Sequence, residues 1–168
     1  MPTRYDNYPL AMIAVAGALS LAVYAAGAYI LAQWGILFAV MYLGYCAFVE
    51  LQLYRGSCVN CYYYGKLCGF GKGKICSFLF SRGDPAKFAR RKPTWKDLLP
   101  DMLVLIIPVL GGIIRLIAGF EWSVLAAVVL LFFLSSVGNG FVRGSLACKH
   151  CRQYEAGCPA ARMFEQAK

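Results

Sequence analysis

Seven cysteines in this chain carry the spacing of metal ligands. Cys58, Cys61 and Cys68 form C-x2-C-x6-C, and Cys148, Cys151 and Cys158 repeat it with a constant shift of ninety residues; Cys76 follows the first group. Two thiolates in C-x2-C grip one ion through a tight turn, and a third sulfur further on can close back on the same ion or cluster. Arg55, Lys66, Lys149 and Arg152 stand beside them, and positive neighbours favour the thiolate and offset the charge of a sulfur-rich site. A lone C-x-x-C says little. A duplicated three-cysteine pattern points to metal.

Two assignments fit the spacing. Cys58, Cys61, Cys148 and Cys151 brought together would make a closed tetrahedral zinc site, leaving Cys68, Cys76 and Cys158 unused. If each group holds its own centre, the first has four candidate ligands in Cys58, Cys61, Cys68 and Cys76, and the second has three in Cys148, Cys151 and Cys158. Seven sulfurs suit two clusters better than one zinc, so iron–sulfur is favoured over zinc. A three-cysteine cluster would also keep one iron open to a substrate or outside ligand. Cys158-Pro159 shares the Cys-Pro ending of bacterial ferredoxin runs without their spacing. His150, the one histidine, lies inside the second knuckle and is read as a bystander. A single histidine rules out bis-histidine haem. Cys46 reads as a small apolar core residue.

Other chemistry is sparse. Glu50 is the one acid expected inside a span, with Arg55 or Arg143 as its expected partner; it is the sole catalytic candidate, and a structural ion pair is the alternative. No Ser-His-Asp or Cys-His pattern and no paired carboxylates identify an enzyme. Gly69-Phe70-Gly71-Lys72-Gly73-Lys74 lacks the preceding strand and the Lys-Ser/Thr of a phosphate-binding loop, and reads as a flexible basic loop beside lipid phosphates or a neighbouring centre. Tyr62-Tyr63-Tyr64 read as interfacial aromatics.

The elements that must position these residues are membrane helices. The 168 residues are 60% hydrophobic and 15% charged, with a mean hydropathy of +0.59, which excludes an ordinary soluble domain. Residues Asn7 to Val49 carry no charge. That accommodates two spans of about 20 residues each, with Gln33-Trp34-Gly35 as the turn. A third span is expected over Pro100–Phe120 and a fourth over Trp122–Val142. The first run is too long, and too soon followed by another, for a cleaved signal peptide.

Of the seventeen Lys and Arg, ten lie from Arg55 to Lys96, five from Arg143 onward, and one at Arg4. The side of both termini and the middle loop is therefore expected to be cytoplasmic. There the excess fixes topology and meets anionic lipid headgroups of the bilayer; nucleic acid is not an expected partner. Arg115 is expected at the opposite interface, paired with Glu121. In a reducing compartment, ligation is favoured over disulfides for the seven thiols.

The chain also reads as a tandem duplication, residues 1–93 and 94–168. Thr3-x-x-Asp6-x-x-Pro9 recurs as Thr94-x-x-Asp97-x-x-Pro100, and Arg55-Gly56-Ser57 as Arg143-Gly144-Ser145, with two extra residues before the second cysteine group. Asp is expected to cap, and Pro to start, the first helix of each half; Arg and Gly close the second. The expected fold is thus all-α and integral to the cell membrane: four transmembrane helices as two two-helix repeats with pseudo-twofold symmetry, each followed by a cytoplasmic cysteine segment. Ala14, Ala18, Ala22 and Ala26 form a ridge for close helix approach, within the bundle or in a homodimer, and Ser135, Ser136, Gly138 and Gly140 do the same on the fourth helix. A short interfacial helix is expected between Gly69 and Lys96.

The functional expectation is a membrane redox module passing electrons between a cytoplasmic partner and a membrane component. The alternatives are a zinc-pinned scaffold docking a cytoplasmic partner, and a protein that hands on a soft metal.

Overall fold

The computed structural model describes residues 4–90, 94–154 and 158. Thr3, the Arg91–Pro93 end of the basic segment and the tail around Pro159 lie outside the described residues. The chain is helical, with no strand among the described residues and one isolated parallel bridge, Tyr5 to Cys151. Four helices are long and apolar enough to cross a membrane: Leu10–Ala32, Ile36–Asn60, Asp97–Ala118 and Trp122–His150. The fourth is longer than the sequence suggested. Large apolar side chains such as Leu21, Leu37, Met41, Ile114 and Phe132 point outward along these helices. So much exposed apolar surface is expected only where lipid is the solvent.

Helix α1 is Leu10–Ala32, α2 Ile36–Gly56, α3 Lys72–Leu79, α4 Pro85–Arg90, α5 Trp95–Ala118 and α6 Trp122–Phe133. The turn between α1 and α2 falls at Gln33–Gly35 as expected, with Gly35 at φ 137°. Past α6 the helix winds wider, π-helical over Leu134–Gly138 and again over Val142–Ala147. A π turn takes in an extra residue without breaking the helix. Leu146 and Ala147, the two residues inserted before the second cysteine group, lie within the second π stretch. Gly56 ends α2 as expected, whereas Gly144 is carried inside this winding.

The chain divides into two compact units. One comprises residues 18–50 and 95–140. Its core is Leu31, Tyr42, Cys46, Val49 and Val104, with a second cluster of Val23, Ile30 and Leu131. Cys46 is an apolar core residue, as its sequence setting suggested. Pro108, inside α5, has no N–H to offer the carbonyl four residues back. The Tyr42 hydroxyl donates to that carbonyl, Val104 O, at 2.9 Å. Tyr42 fits because Gly27 faces its ring; a Cβ there would overlap the hydroxyl. Close approach on α1 is thus made at Gly27, while Ala14, Ala18 and Ala22 of the alanine ridge are exposed. Gly138 meets Leu19 in the same way.

Glu50 accepts a 2.6 Å hydrogen bond from the Tyr24 hydroxyl. Asp101 of α5 is a second acid within electrostatic reach of Tyr24. Arg115 and Glu121 approach to 4.0 Å as expected.

Candidate metal centre

The other unit comprises residues 1–17, 51–94 and 141–168. It gathers both cysteine groups and the N-terminal stretch from three separate parts of the sequence. All eight cysteines of the chain are free thiols.

Each C-x2-C folds into the same turn. Cys58–Asn60 and Cys148–His150 are single 3₁₀ turns closed by a 3.2 Å bond from the N–H of Cys61 to Cys58 O, and from the N–H of Cys151 to Cys148 O. A further turn follows, Tyr64 N–H to Cys61 O at 3.1 Å and Tyr154 N–H to Cys151 O at 3.3 Å. The backbone N–H two residues past the second cysteine bonds its sulfur, Tyr63 to Cys61 and Gln153 to Cys151. Gly73 N–H donates to Cys68 Sγ at 3.3 Å. Bonds of this kind stabilise a thiolate and orient it for a metal.

The two knuckles clasp each other reciprocally. Tyr62 N–H donates to Gln153 Oε1 at 2.6 Å, and Arg152 N–H donates to the Tyr63 hydroxyl oxygen at 3.1 Å. Tyr63 and Gln153 are 1% and 4% exposed. In each direction the residue two past one knuckle's second cysteine caps the N–H one past the other's. Tyr63 in turn donates to Tyr5 O at 2.6 Å, and Tyr5 N–H to His150 O at 3.2 Å.

Residues 5–8 therefore strap both knuckles together. Asp6, expected as a helix cap, instead accepts from the Tyr62 hydroxyl at 2.8 Å and pairs with Arg152 at 3.2 Å. The Tyr8 hydroxyl donates to Ala147 O at 2.6 Å and its N–H to Leu67 O at 2.9 Å. Where the same pattern recurs, Asp97 and Pro100 lie within α5, so the shared sequence pattern adopts two structures. Tyr62 and Tyr63 are knuckle residues and not merely interfacial aromatics.

The glycine-rich stretch forms the turn into α3. Gly71 caps α3 at φ 70°, a conformation glycine adopts without strain. Gly73 lies so close beneath the first knuckle that an added Cβ would run into the Tyr63 carbonyl oxygen. The turn thus sets α3 against the knuckle, and α3 carries Cys76, fully buried, with its S–H directed at Tyr54 O at 3.9 Å. The opposite face of α3 exposes Ile75, Phe78 and Leu79.

Electrostatic neighbours show how the sulfurs group. The strongest charge partners of Cys58 are Cys68, Cys76 and Cys61. Those of Cys151 are Cys158 and Cys148, and that of Cys148 is Cys158. Cys61 joins the sets, feeling Cys151, Cys68 and Cys158. The cations that act on these sulfurs are Lys72 on Cys58 and Arg143 on Cys148. Of the sequence neighbours, Arg55 stacks on Phe80, Lys66 on Tyr62, and Arg152 pairs with Asp6. Burial first, then neighbouring sulfurs, pushes the Cys61 thiol up to about 12 and Cys151 up to about 11, against the N–H bonds they accept. Burial also raises Cys76. Among the described residues no group of three or more Cys, His, Asp or Glu side chains is arranged to hold a metal ion. The sulfurs are neighbours, not a closed cage. The donor set, thiols with N–H···S support and adjacent cations, suits a thiolate-ligated centre.

Sequence reasoning missed Tyr63, Gln153 and residues 5–8. The one available signal was position: Tyr63 and Gln153 are ninety residues apart, each two past a C-x2-C. Comparison with known protein families, characterised proteins and solved structures finds no match to this chain.

Proposed function

We propose that this is an integral membrane metalloprotein in which each cysteine group holds its own thiolate-ligated centre, iron–sulfur in preference to zinc, and that it passes electrons between a cytoplasmic partner and another membrane component. The reading rests on one observation: the strongest neighbours of Cys58 and Cys148 lie within their own groups, and the groups meet at Cys61 and Cys151. Cys58, Cys61, Cys68 and Cys76 would hold one centre, and Cys148, Cys151 and Cys158 the other. The clusters would supply one-electron chemistry. The chain's own work is to hold the thiolates, donate N–H to the sulfurs, which tunes reduction potential, and keep the two sites adjacent. On this proposal the chain is a duplicated helical hairpin with both cysteine groups cytoplasmic, its basic residues against anionic headgroups, and the exposed alanine ridge available to a second copy.

A second reading has its own support. The clasp sets Cys61 beside Cys151, as a shared four-sulfur zinc site of Cys58, Cys61, Cys148 and Cys151 would require. Anaerobic purification with metal analysis and a visible spectrum, on the wild type and on Cys58→Ala and Cys148→Ala, tests both. The proposal expects brown protein with iron and sulfide, and about half the iron lost in either variant. Colourless protein with stoichiometric zinc, lost entirely in either variant, overturns it for the shared site. Exchangeable soft metal below stoichiometry overturns it for metal handling.

A further inference from the structure

The reciprocal clasp makes each knuckle's order depend on the other's. Tyr63 supplies an N–H to the Cys61 sulfur and, through its hydroxyl, caps Arg152 N–H in the second knuckle. Gln153 supplies an N–H to the Cys151 sulfur and, through Oε1, caps Tyr62 N–H in the first. A metal held at either knuckle orders the turn that carries Tyr63 or Gln153. In both knuckles that turn carries the residue whose side chain holds the other knuckle. Both side chains are almost completely buried, so neither has water as an alternative partner, and the ordering is shared between the sites.

From this we infer that Tyr63 and Gln153 are positioning residues that couple the two centres, so that loading one favours loading the other. The inference rests on the two-centre reading for its metal arm, but the clasp itself can be tested without metal. Each clasp bond is worth about fivefold in coupling, the scale of one net hydrogen bond.

Two measurements test it. In the first, chelator-treated protein in detergent is titrated with Cd²⁺ and examined by native mass spectrometry. Wild type is expected to pass from empty to fully loaded with little half-loaded species. Tyr63→Phe and Gln153→Ala should each raise the half-loaded fraction about fivefold at unchanged final stoichiometry and helix content. Gln153→Glu, which keeps the acceptor for Tyr62 N–H, should restore the wild-type pattern. Tyr64→Phe, which removes a hydroxyl bonded to Phe80 O within the first segment alone, should not disturb it. In the second, without metal, alkylation is followed cysteine by cysteine: Tyr63→Phe should speed Cys148 and Cys151, and Gln153→Ala should speed Cys58 and Cys61. If each variant affects only its own knuckle, or if wild type loads its sites independently, the coupling is overturned. If wild type binds no Cd²⁺ while the crossed alkylation pattern holds, the metal reading fails and the clasp stands.

Discussion

The first and second cysteine segments make the same knuckle and then part. After Cys61 the chain turns through Gly65, Gly71 and Gly73 into α3, which brings Cys68 and Cys76 up to Cys58. After Cys151 one further 3₁₀ turn, Arg152–Tyr154, precedes Cys158. Before the knuckle the difference is reversed: α2 ends on Gly56, whereas the fourth span winds π-helically up to Ala147. Equal cysteine spacing goes with an equal turn, although the residues between the cysteines differ. What packs beneath the turn decides how many sulfurs it can gather.

The largest expected effect separates Cys61 from Cys151 by pH. In chelated protein at pH 8.5, alkylation of Cys61 should run about a thousandfold slower than an unhindered thiol and Cys151 about a hundredfold slower, from tenfold per unit of pKa. Both rates should climb with pH toward about 12 and about 11. Rates that match a free thiol at pH 8.5 would remove the burial on which the comparison stands. The linkage follows in sign: a raised thiol pKa stabilises the fold below the ordinary thiol value, and that contribution is lost as pH rises through it toward the folded values. Chelated protein should therefore unfold progressively more easily above about pH 9.

Next in size, Gly73→Ala should destabilise the first segment by about 1–3 kcal/mol, since the added carbon meets backbone and not a movable side chain. Alkylation should quicken most at Cys58, Cys68 and Cys76, and less at Cys148, which feels the change only through the Tyr63 clasp. Gly144→Ala is its counterpart in the second segment. Nothing lies within 4 Å of a Cβ there, so denaturant unfolding should show a gain of about 0.5–1 kcal/mol from reduced backbone freedom. The smallest effect belongs to the strap. Asp6→Asn removes a half-exposed ion pair with Arg152 and should cost under about 1 kcal/mol, less at high salt.

Much of this architecture was legible in the sequence because its causes are local. Charge-free runs of sufficient length must be helices in lipid, since no other partner exists there for the backbone. C-x2-C allows few turns, and both copies take the same one. The apolar role of Cys46 followed from its neighbours along the helix. Legibility was lower where partners are distant: Glu50 accepts from Tyr24, 26 residues away along the chain. Asp6 failed for the same reason, since its pattern matches a cap but Tyr62 and Arg152 compete for the carboxylate.

By itself, then, the sequence determined that four helices are apolar enough to cross a membrane, that two identical knuckles exist, and where seven sulfurs stand along the chain. These follow from hydropathy and from turn geometry, both set within a few residues. Only the tertiary structure decided that residues 5–8 strap the knuckles, that Tyr63 and Gln153 exchange caps across 89 and 91 residues, and that glycine at 73 sets α3 beneath the first knuckle. A buried N–H must find an acceptor, and which acceptor it finds depends on what the fold brings within 3 Å or so of it.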